Sequence, residues 1–259
     1  MKPLWKITCS LKRPAYSRRI RGMSLIRHLL FLVKDFFFPA VCPLCGGFLT
    51  GMNEIRYGLC EQCRLGIACA RGEKCNLCGK PLISERDVCL SCRNESEKSY
   101  DRLWTLFPYT GKFRKLLTSY KFTKNLALAD FFTEKILEVL DSDPVLKDAC
   151  IVPVPPRPGK IKNSGWDQID YLVKRLEKSG KDRVYCRCLK RRKSKVQKQL
   201  GRAERMENLK GRIYLYKKAP KIALIIDDVV TTGSTMEVCS SALKDGGVEK
   251  VYGLCLFYG

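Results

Sequence analysis

The sequence holds no run of 18 or more apolar residues, and the nearest approach, Leu25 to Phe38, is broken by Arg27, His28, Lys34 and Asp35. A membrane-spanning helix is therefore not expected. That stretch also lacks a small-residue cleavage site and runs directly into a cysteine knuckle, so a secretory leader is a poor reading and the cytoplasm is the expected compartment. Acidic residues are scarce: 26 Asp and Glu stand against 49 Lys and Arg, a formal net charge of +23. Such an excess favours phosphate-rich partners, whether nucleic acid, phosphorylated metabolites or an anionic membrane surface, without choosing among them. The scarcity is complete over residues 1–22, where Lys2, Lys6, Lys12, Arg13, Arg18, Arg19 and Arg21 meet no acid and no period is visible. This reads as a disordered basic extension. Met23 then opens a segment of helical spacing, Leu25, Leu29, Leu32 and Phe36, so the native start is Met1 or Met23, and without the first 22 residues the net charge is still +16. Residues 1–40 are thus a basic extension and an amphipathic helix, which packs on the following module or lies on a membrane or nucleic acid.

What is present bounds the rest. At 259 residues, 45% hydrophobic and 10% aromatic, the chain is globular and long enough for about two domains.

Residues 41–98 are rich in Cys and Gly and too poor in apolar runs to build a core. Cys42 and Cys45 are followed after fourteen residues by Cys60 and Cys63; Cys75 and Cys78 are followed after ten by Cys89 and Cys92. These are two consecutive four-cysteine sets with zinc-ribbon spacing, and a glycine follows Cys45 and Cys78 where the knuckle must turn. Two structural zinc sites would supply the folding energy that so small a module lacks. Four thiolates close a site, which disfavours a catalytic metal. The spacing fits sequential ligation, each ribbon taking its own four cysteines, and interleaved ligation equally. The other seven cysteines, Cys9, Cys69, Cys150, Cys186, Cys188, Cys239 and Cys255, read as small buried hydrophobes.

Past a polar linker at Asn94 to Ser99, residues 99–259 alternate strands and helices. Strands are expected at Leu103–Tyr109, Ala149–Val154, Val184–Leu189, Ile213–Tyr216, Ile222–Asp227 and Val251–Phe257, with helices notably at Leu126–Leu140, Trp166–Ser179 and Thr235–Lys244. Buried apolar strands leading through glycine-bearing turns into helices predict an α/β fold, a doubly wound and mostly parallel sheet, with ligands at the carboxyl ends of the strands.

The informative stretch is Ile222 to Thr235. An apolar strand ends in Asp227 and Asp228, and Thr231, Thr232, Gly233, Ser234 and Thr235 form a turn before a helix. Backbone N–H groups, hydroxyls and the positive end of a helix suit one phosphate, and Gly233 lets the backbone approach it. The two carboxylates can accept from vicinal ribose hydroxyls or hold hydrated Mg²⁺.

Those residues resemble the phosphoribosyl-pyrophosphate signature of type I phosphoribosyltransferases. Together with Ile151 to Pro155, Gly165-Trp166-Asp167-Gln168, the Gln197 to Gly211 pattern and the cysteine-rich front end, the order is similar to that of ComF/GntX-type competence proteins from about Phe38 onward. The resemblance implies a cytoplasmic protein of natural transformation that binds phosphoribosyl pyrophosphate and handles single-stranded DNA beside a competence helicase. It implies that Asp227 and Asp228 are the catalytic pair and anchor the ribose, that residues 231–235 hold the 5-phosphate, and that Arg157, Lys160 and Lys162 are candidates for the pyrophosphate, with Mg²⁺ as cofactor. Lys121 matches a family lysine and reads equally as a solvated helix-end residue. Where the family shows Arg-Gly-Phe-Asn-Gln, this chain has Ser164-Gly-Trp-Asp-Gln168, which removes a cation and adds an anion. Binding without turnover is one reading; a working transferase for a small nucleophile, with the ribbons as scaffold, is the alternative. A third makes the domain a sensor whose ligand alters DNA or helicase binding.

Between Lys181 and Lys221 sixteen basic residues face three acids, densest at Lys190, Arg191, Arg192, Lys193 and Lys195, with Arg202 and Arg205 beyond. The run is a solvated face, a loop closing over pyrophosphate, or a single-stranded DNA surface on which Tyr185, Tyr214 and Tyr216 offer stacking faces.

Overall fold

The computed structural model describes residues 39–67, 73–94, 98–180, 182–193 and 211–259. The basic extension and amphipathic helix, all but the last two residues of the 1–40 segment, fall outside them, as do Lys195, Arg202 and Arg205. Residues 40–259 form one compact unit.

Two copies of one backbone device open it. Cys42 N–H donates to Gly47 O and Gly46 N–H to Cys42 O, both at 2.8 Å; Cys75 N–H donates to Lys80 O at 2.8 Å and Gly79 N–H to Cys75 O at 2.9 Å. The reversal requires a left-handed residue, which Gly46 (φ 77°) and Gly79 (φ 70°) supply. Short helices return the later cysteines: α1 (Met52–Tyr57) and α2 (Glu61–Leu65) in the first ribbon, α3 (Leu90–Asn94) in the second.

The α/β body follows as β1 (Arg102–Pro108), α4 (Gly111–Lys121), α5 (Leu128–Ser142), β2 (Cys150–Pro153), α6 (Lys160–Ser164), α7 (Gln168–Glu177), β3 (Leu189–Arg191), β4 (Ile213–Leu215), β5 (Ile222–Val230), α8 (Ser234–Asp245) and β6 (Lys250–Tyr258). Four strands make a parallel sheet in the order β1-β6-β5-β2, and β3 and β4 form a separate antiparallel pair. Alternation along β5 explains why the sheet is covered twice. Leu224 and Ile226 join one core with Leu116, Phe131, Phe132 and Leu172. Ala223 and Ile225 join the other with Met236, Cys239, Leu243 and Leu189. Each fully buried Leu, Ile or Phe in these cores contributes about 1.5–3 kcal/mol.

Strand β5 does not stop at Asp227 but runs to Val230, because Val229 and Val230 stay in register with Phe257 and Tyr258. The strand expected over Val184–Leu189 is displaced: Tyr185 makes a single bridge to Ile151, and the strand itself is Leu189–Arg191. Among the other cysteines, Cys150, Cys188, Cys239 and Cys255 are buried as expected and Cys186 is half-buried, while Cys9 and Cys69 lie outside the described residues.

The two ribbons attach differently. Leu49, Leu59 and Ile67 of the first belong to the core that contains α5, and Tyr57 Oη donates to Glu134 Oε2 at 2.6 Å. The second lies along β1: Lys74 Nζ donates to Thr105 O at 2.6 Å, and buried Thr105 donates its hydroxyl to Gly79 O. A Cβ on Gly79 would stand 2.5 Å from Leu103 O. Gly79→Ala therefore combines a left-handed backbone with a clash against a strand carbonyl. It should cost about 2 kcal/mol or more and lower the melting temperature, read by thermal denaturation against Gly47→Ala, whose Cβ would meet nothing closer than 3.5 Å.

Candidate metal centres and anion site

The Sγ atoms of Cys42, Cys45, Cys60 and Cys63 all lie within 4.8 Å of one another, as do those of Cys75, Cys78, Cys89 and Cys92. The grouping is sequential, which settles what the spacing left open. A tetrahedral zinc with Zn–S near 2.3 Å separates its sulfurs by about 3.8 Å. Cys45 Sγ to Cys60 Sγ and Cys78 Sγ to Cys89 Sγ are both 3.7 Å. The donor set and its size thus fit two structural zinc ions. Burial alone would raise the Cys42 and Cys75 thiols, but backbone N–H donors outweigh it and bring each down to about 7. Cys78, buried and facing the negative Cys75, is pushed up to about 11. Four thiols packed this closely cannot all ionise without a cation between them. Purified protein should release two zinc ions per chain on thiol displacement, and Cys45→Ser and Cys78→Ser should each remove one, measured with a chromogenic chelator.

The second site lies at the carboxyl end of β5. Asp227 and Asp228 are only 9% and 7% exposed, and as neighbours in a strand they point to opposite faces. Asp228 Oδ2 meets Lys121 Nζ at 2.7 Å and accepts from Gln168 Nε2 at 2.8 Å. The lysine of α4 is therefore a partner of the carboxylate pair. Asp227 Oδ1 accepts from Asp228 N at 2.8 Å. Burial, and then the adjacent Asp228 charge, hold the Asp227 carboxyl well above the usual range.

Both carboxylates line a cavity of about 480 Å³ that also takes in Lys121, Arg157, Lys160, Gln168 and Arg191. A smaller space of about 30 Å³ is lined by Thr231, Thr232, Gly233 and Ser234, and the two share Asp227, Val229 and Thr235. Gly233 has φ 74° and caps α8, Thr232 Oγ1 lies 2.8 Å from Ser234 Oγ, and the helix N-terminus faces this space. A larger cavity of about 540 Å³ between β4 and α8 carries Glu237 and Asp245 instead, the wrong sign for an anion.

Of the pyrophosphate candidates, Arg157 and Lys160 reach the cavity; Lys162 is exposed on α6 and is not among its lining residues. Lys160 Nζ is already held by Asp167 Oδ2 at 2.6 Å and by the Gln168 side-chain oxygen. Asp167 caps α7, its Oδ1 accepting from Ile169 N at 2.9 Å and Asp170 N at 3.0 Å. An aspartate is as good a cap here as the asparagine of the resembled pattern would be, and Lys160 neutralises its charge. The sequence places Arg191 within the basic run, yet its side chain stands in the cavity wall, where burial and then the Arg157 charge depress its pKa. Period-two alternation with buried Leu189 is the signal that separates it from its neighbours.

The opposite face of the β3–β4 pair alternates cations and rings. Lys190 Nζ sits 4.1 Å from the Tyr216 ring centre and the Arg192 guanidinium 4.8 Å from that of Tyr214. Lys190, Arg192 and Lys193 are exposed. Tyr185 instead turns its hydroxyl into the protein.

The raised Asp227 pKa has a defined sign. The folded state binds this proton more tightly than the unfolded chain, so its contribution to stability is full below the ordinary aspartate pKa and is lost as pH rises toward the folded value. Asp227→Asn keeps an acceptor for Asp228 N and should raise the melting temperature at pH 8 more than at pH 4 in thermal scans of ligand-free protein.

Comparison with known proteins bears on both sites. Residues 33–93 match the double zinc ribbon domain family. The chain is 27% identical to competence protein ComFC of Streptococcus pneumoniae over 74% of this chain and 84% of that one. It is 25% identical to competence protein F of Haemophilus influenzae over 83% of this chain and 95% of that one. With DNA utilization protein YhgH of Escherichia coli strain K12 the identity is 26%, covering 77% and 96%. The double ribbon in front and a likeness that runs through most of the length of these relatives bear out the resemblance to ComF-type competence proteins.

Proposed function

We propose that this chain is a competence protein of the cytoplasm that binds phosphoribosyl pyrophosphate and handles single-stranded DNA, and that DNA lies on the cation-and-ring face of the β3–β4 pair. The names of the relatives, two competence proteins and a DNA utilization protein, support the cellular role. One observation carries the ligand: the Asp227–Asp228 pair and the hydroxyl-rich turn at the start of α8 open into adjoining spaces that share Asp227 and Thr235. The carboxylates suit ribose hydroxyls and Mg²⁺, the turn suits a 5-phosphate, and Arg157 and Arg191 suit a pyrophosphate. The larger cavity, at about 480 Å³, is of ordinary ligand size. Bound Mg²⁺ would screen the pyrophosphate charge; the chain's own residues bind and orient the sugar. Among the described residues no helix is long and apolar enough to cross a membrane. A helicase partner rests on the family resemblance alone.

On the DNA side, Tyr214 and Tyr216 offer rings for bases while Lys190, Arg192 and Lys193 meet phosphates, which gives sequence-independent, salt-steep affinity. The alternative, a working phosphoribosyltransferase for a small nucleophile, is favoured by Arg157 and Arg191, which return cations to a cavity that has Ser164 where the family has arginine.

Titration calorimetry with phosphoribosyl pyrophosphate should show Mg²⁺-dependent binding that Asp227→Asn with Asp228→Asn abolishes. Anisotropy of fluorescent oligo(dT) across a salt series should show steep binding, and Lys190→Ala with Arg192→Ala should reduce the log–log slope by about 0.7 for each phosphate that is no longer neutralised. Absence of both affinities would overturn the proposal; Mg²⁺-dependent pyrophosphate release with an amine or base would favour the transferase.

A further inference from the structure

Asp167 carries more than its place in the fold requires. As the cap of α7 it needs one acceptor oxygen, and Oδ1 serves Ile169 N and Asp170 N in that way. Asparagine or serine would cap the helix as well as aspartate does. The second oxygen and the negative charge are surplus to capping. Oδ2 takes Lys160 Nζ at 2.6 Å, with the aspartate side chain 4% and the lysine side chain 28% exposed.

Both residues line the larger cavity, and the pair decides which of its cations are open to a ligand. Four cations and three carboxylates line that space. Lys121 is taken by Asp228 at 2.7 Å and Lys160 by Asp167. Gln168 joins the two pairs, its side-chain oxygen accepting from Lys160 and its Nε2 donating to Asp228 Oδ2 at 2.8 Å. Arg157 and Arg191 form no ion pair among the described residues, and they are near enough for the charge of Arg157 to depress the Arg191 pKa. Lys160 follows Arg157 on the same turn, its N–H donating to Arg157 O at 3.0 Å. An anion at the two arginines therefore meets a lysine beside them whose charge is already neutralised.

We propose that Asp167 sets the specificity of this cavity by withholding Lys160, so that a diphosphate is held through Arg157 and Arg191 alone. This rests on the reading of the cavity as a pyrophosphate site. A diphosphate brings more charge and more acceptor oxygens than two guanidiniums satisfy, so it is the ligand most sensitive to the withheld cation. A phosphate monoester at the start of α8 occupies the smaller space, which Asp167 does not line.

The test is calorimetric titration of the full chain in Mg²⁺ with inorganic pyrophosphate, phosphoribosyl pyrophosphate and ribose 5-phosphate. Asp167→Asn keeps the cap and removes the charge. It should tighten pyrophosphate about tenfold or more, the scale of a hydrogen bond to a charged group, tighten phosphoribosyl pyrophosphate similarly, and leave ribose 5-phosphate unchanged. Asp167→Ser, a cap of the same rank, should do the same and carries the test if the asparagine variant fails to fold. Lys160→Gln combined with Asp167→Asn should return pyrophosphate to the wild-type affinity. Equal or weaker pyrophosphate binding by both single variants overturns the assignment, as does a gain that persists without Lys160; phosphoribosyl pyrophosphate binding by wild type leaves the site reading standing in either case. A gain that extends equally to ribose 5-phosphate marks a general loss of repulsion and also overturns the assignment. No binding of any of the three ligands to wild type or variants overturns both readings.

Discussion

Two adjacent carboxylates at the end of a buried strand cannot both be charged in a low-dielectric interior without separate compensation. The body of the protein is arranged around that constraint. Strand alternation sends Asp228 toward α4 and α7, where Lys121 and Gln168 take its oxygen, and leaves Asp227 among Cys239 and Cys255, thiols that offer no compensating charge. One carboxylate is thus fixed by its partners while the other makes its one hydrogen bond to a backbone N–H and faces the cavity.

The ribbons answer a different constraint. Neither has enough apolar surface to fold by burial, and each must be held by its four thiolates. Beyond that the duplication does not extend to their attachment. The first contributes Leu49, Leu59 and Ile67 to the larger core and is a structural part of the body. The second has few buried apolar residues besides its cysteines and is joined through hydrogen bonds to β1 and through the segment that carries Ser99 and Tyr100 onto α8. The first is therefore built into the core of the body, and the second is tied to its surface through polar contacts.

Local signals in the sequence reveal what local physics decides. The knuckles, the apolar run from Ile222 to Ile226, the Asp-Asp pair and the hydroxyl-rich turn are all legible because spacing and residue type fix them over a few residues. Helix α4 does not stand out: only Leu116, Leu117 and Tyr120 of its eleven residues are buried, too narrow a stripe to rise above its cations. Strand β3 is three residues long, so its position within Val184 to Arg191 does not follow from apolar content. Arg191 is hidden in a basic run whose members face two ways. The aspartate at 167 looks like an added charge in sequence and is absorbed by a helix cap and a lysine.

The outer strands carry a consequence for how this protein meets others. On the β1 side the second ribbon sits against Leu103 and Thr105; on the β2 side the segment around Tyr185 occupies Ile151, whose N–H donates to Val184 O and whose carbonyl accepts from Cys186 N. An open sheet margin invites another chain to add a strand, by accident in aggregation or by design in peptide capture. Here both margins are occupied by the protein itself. A partner of this body would therefore have to bind through side chains rather than by adding a strand to the sheet.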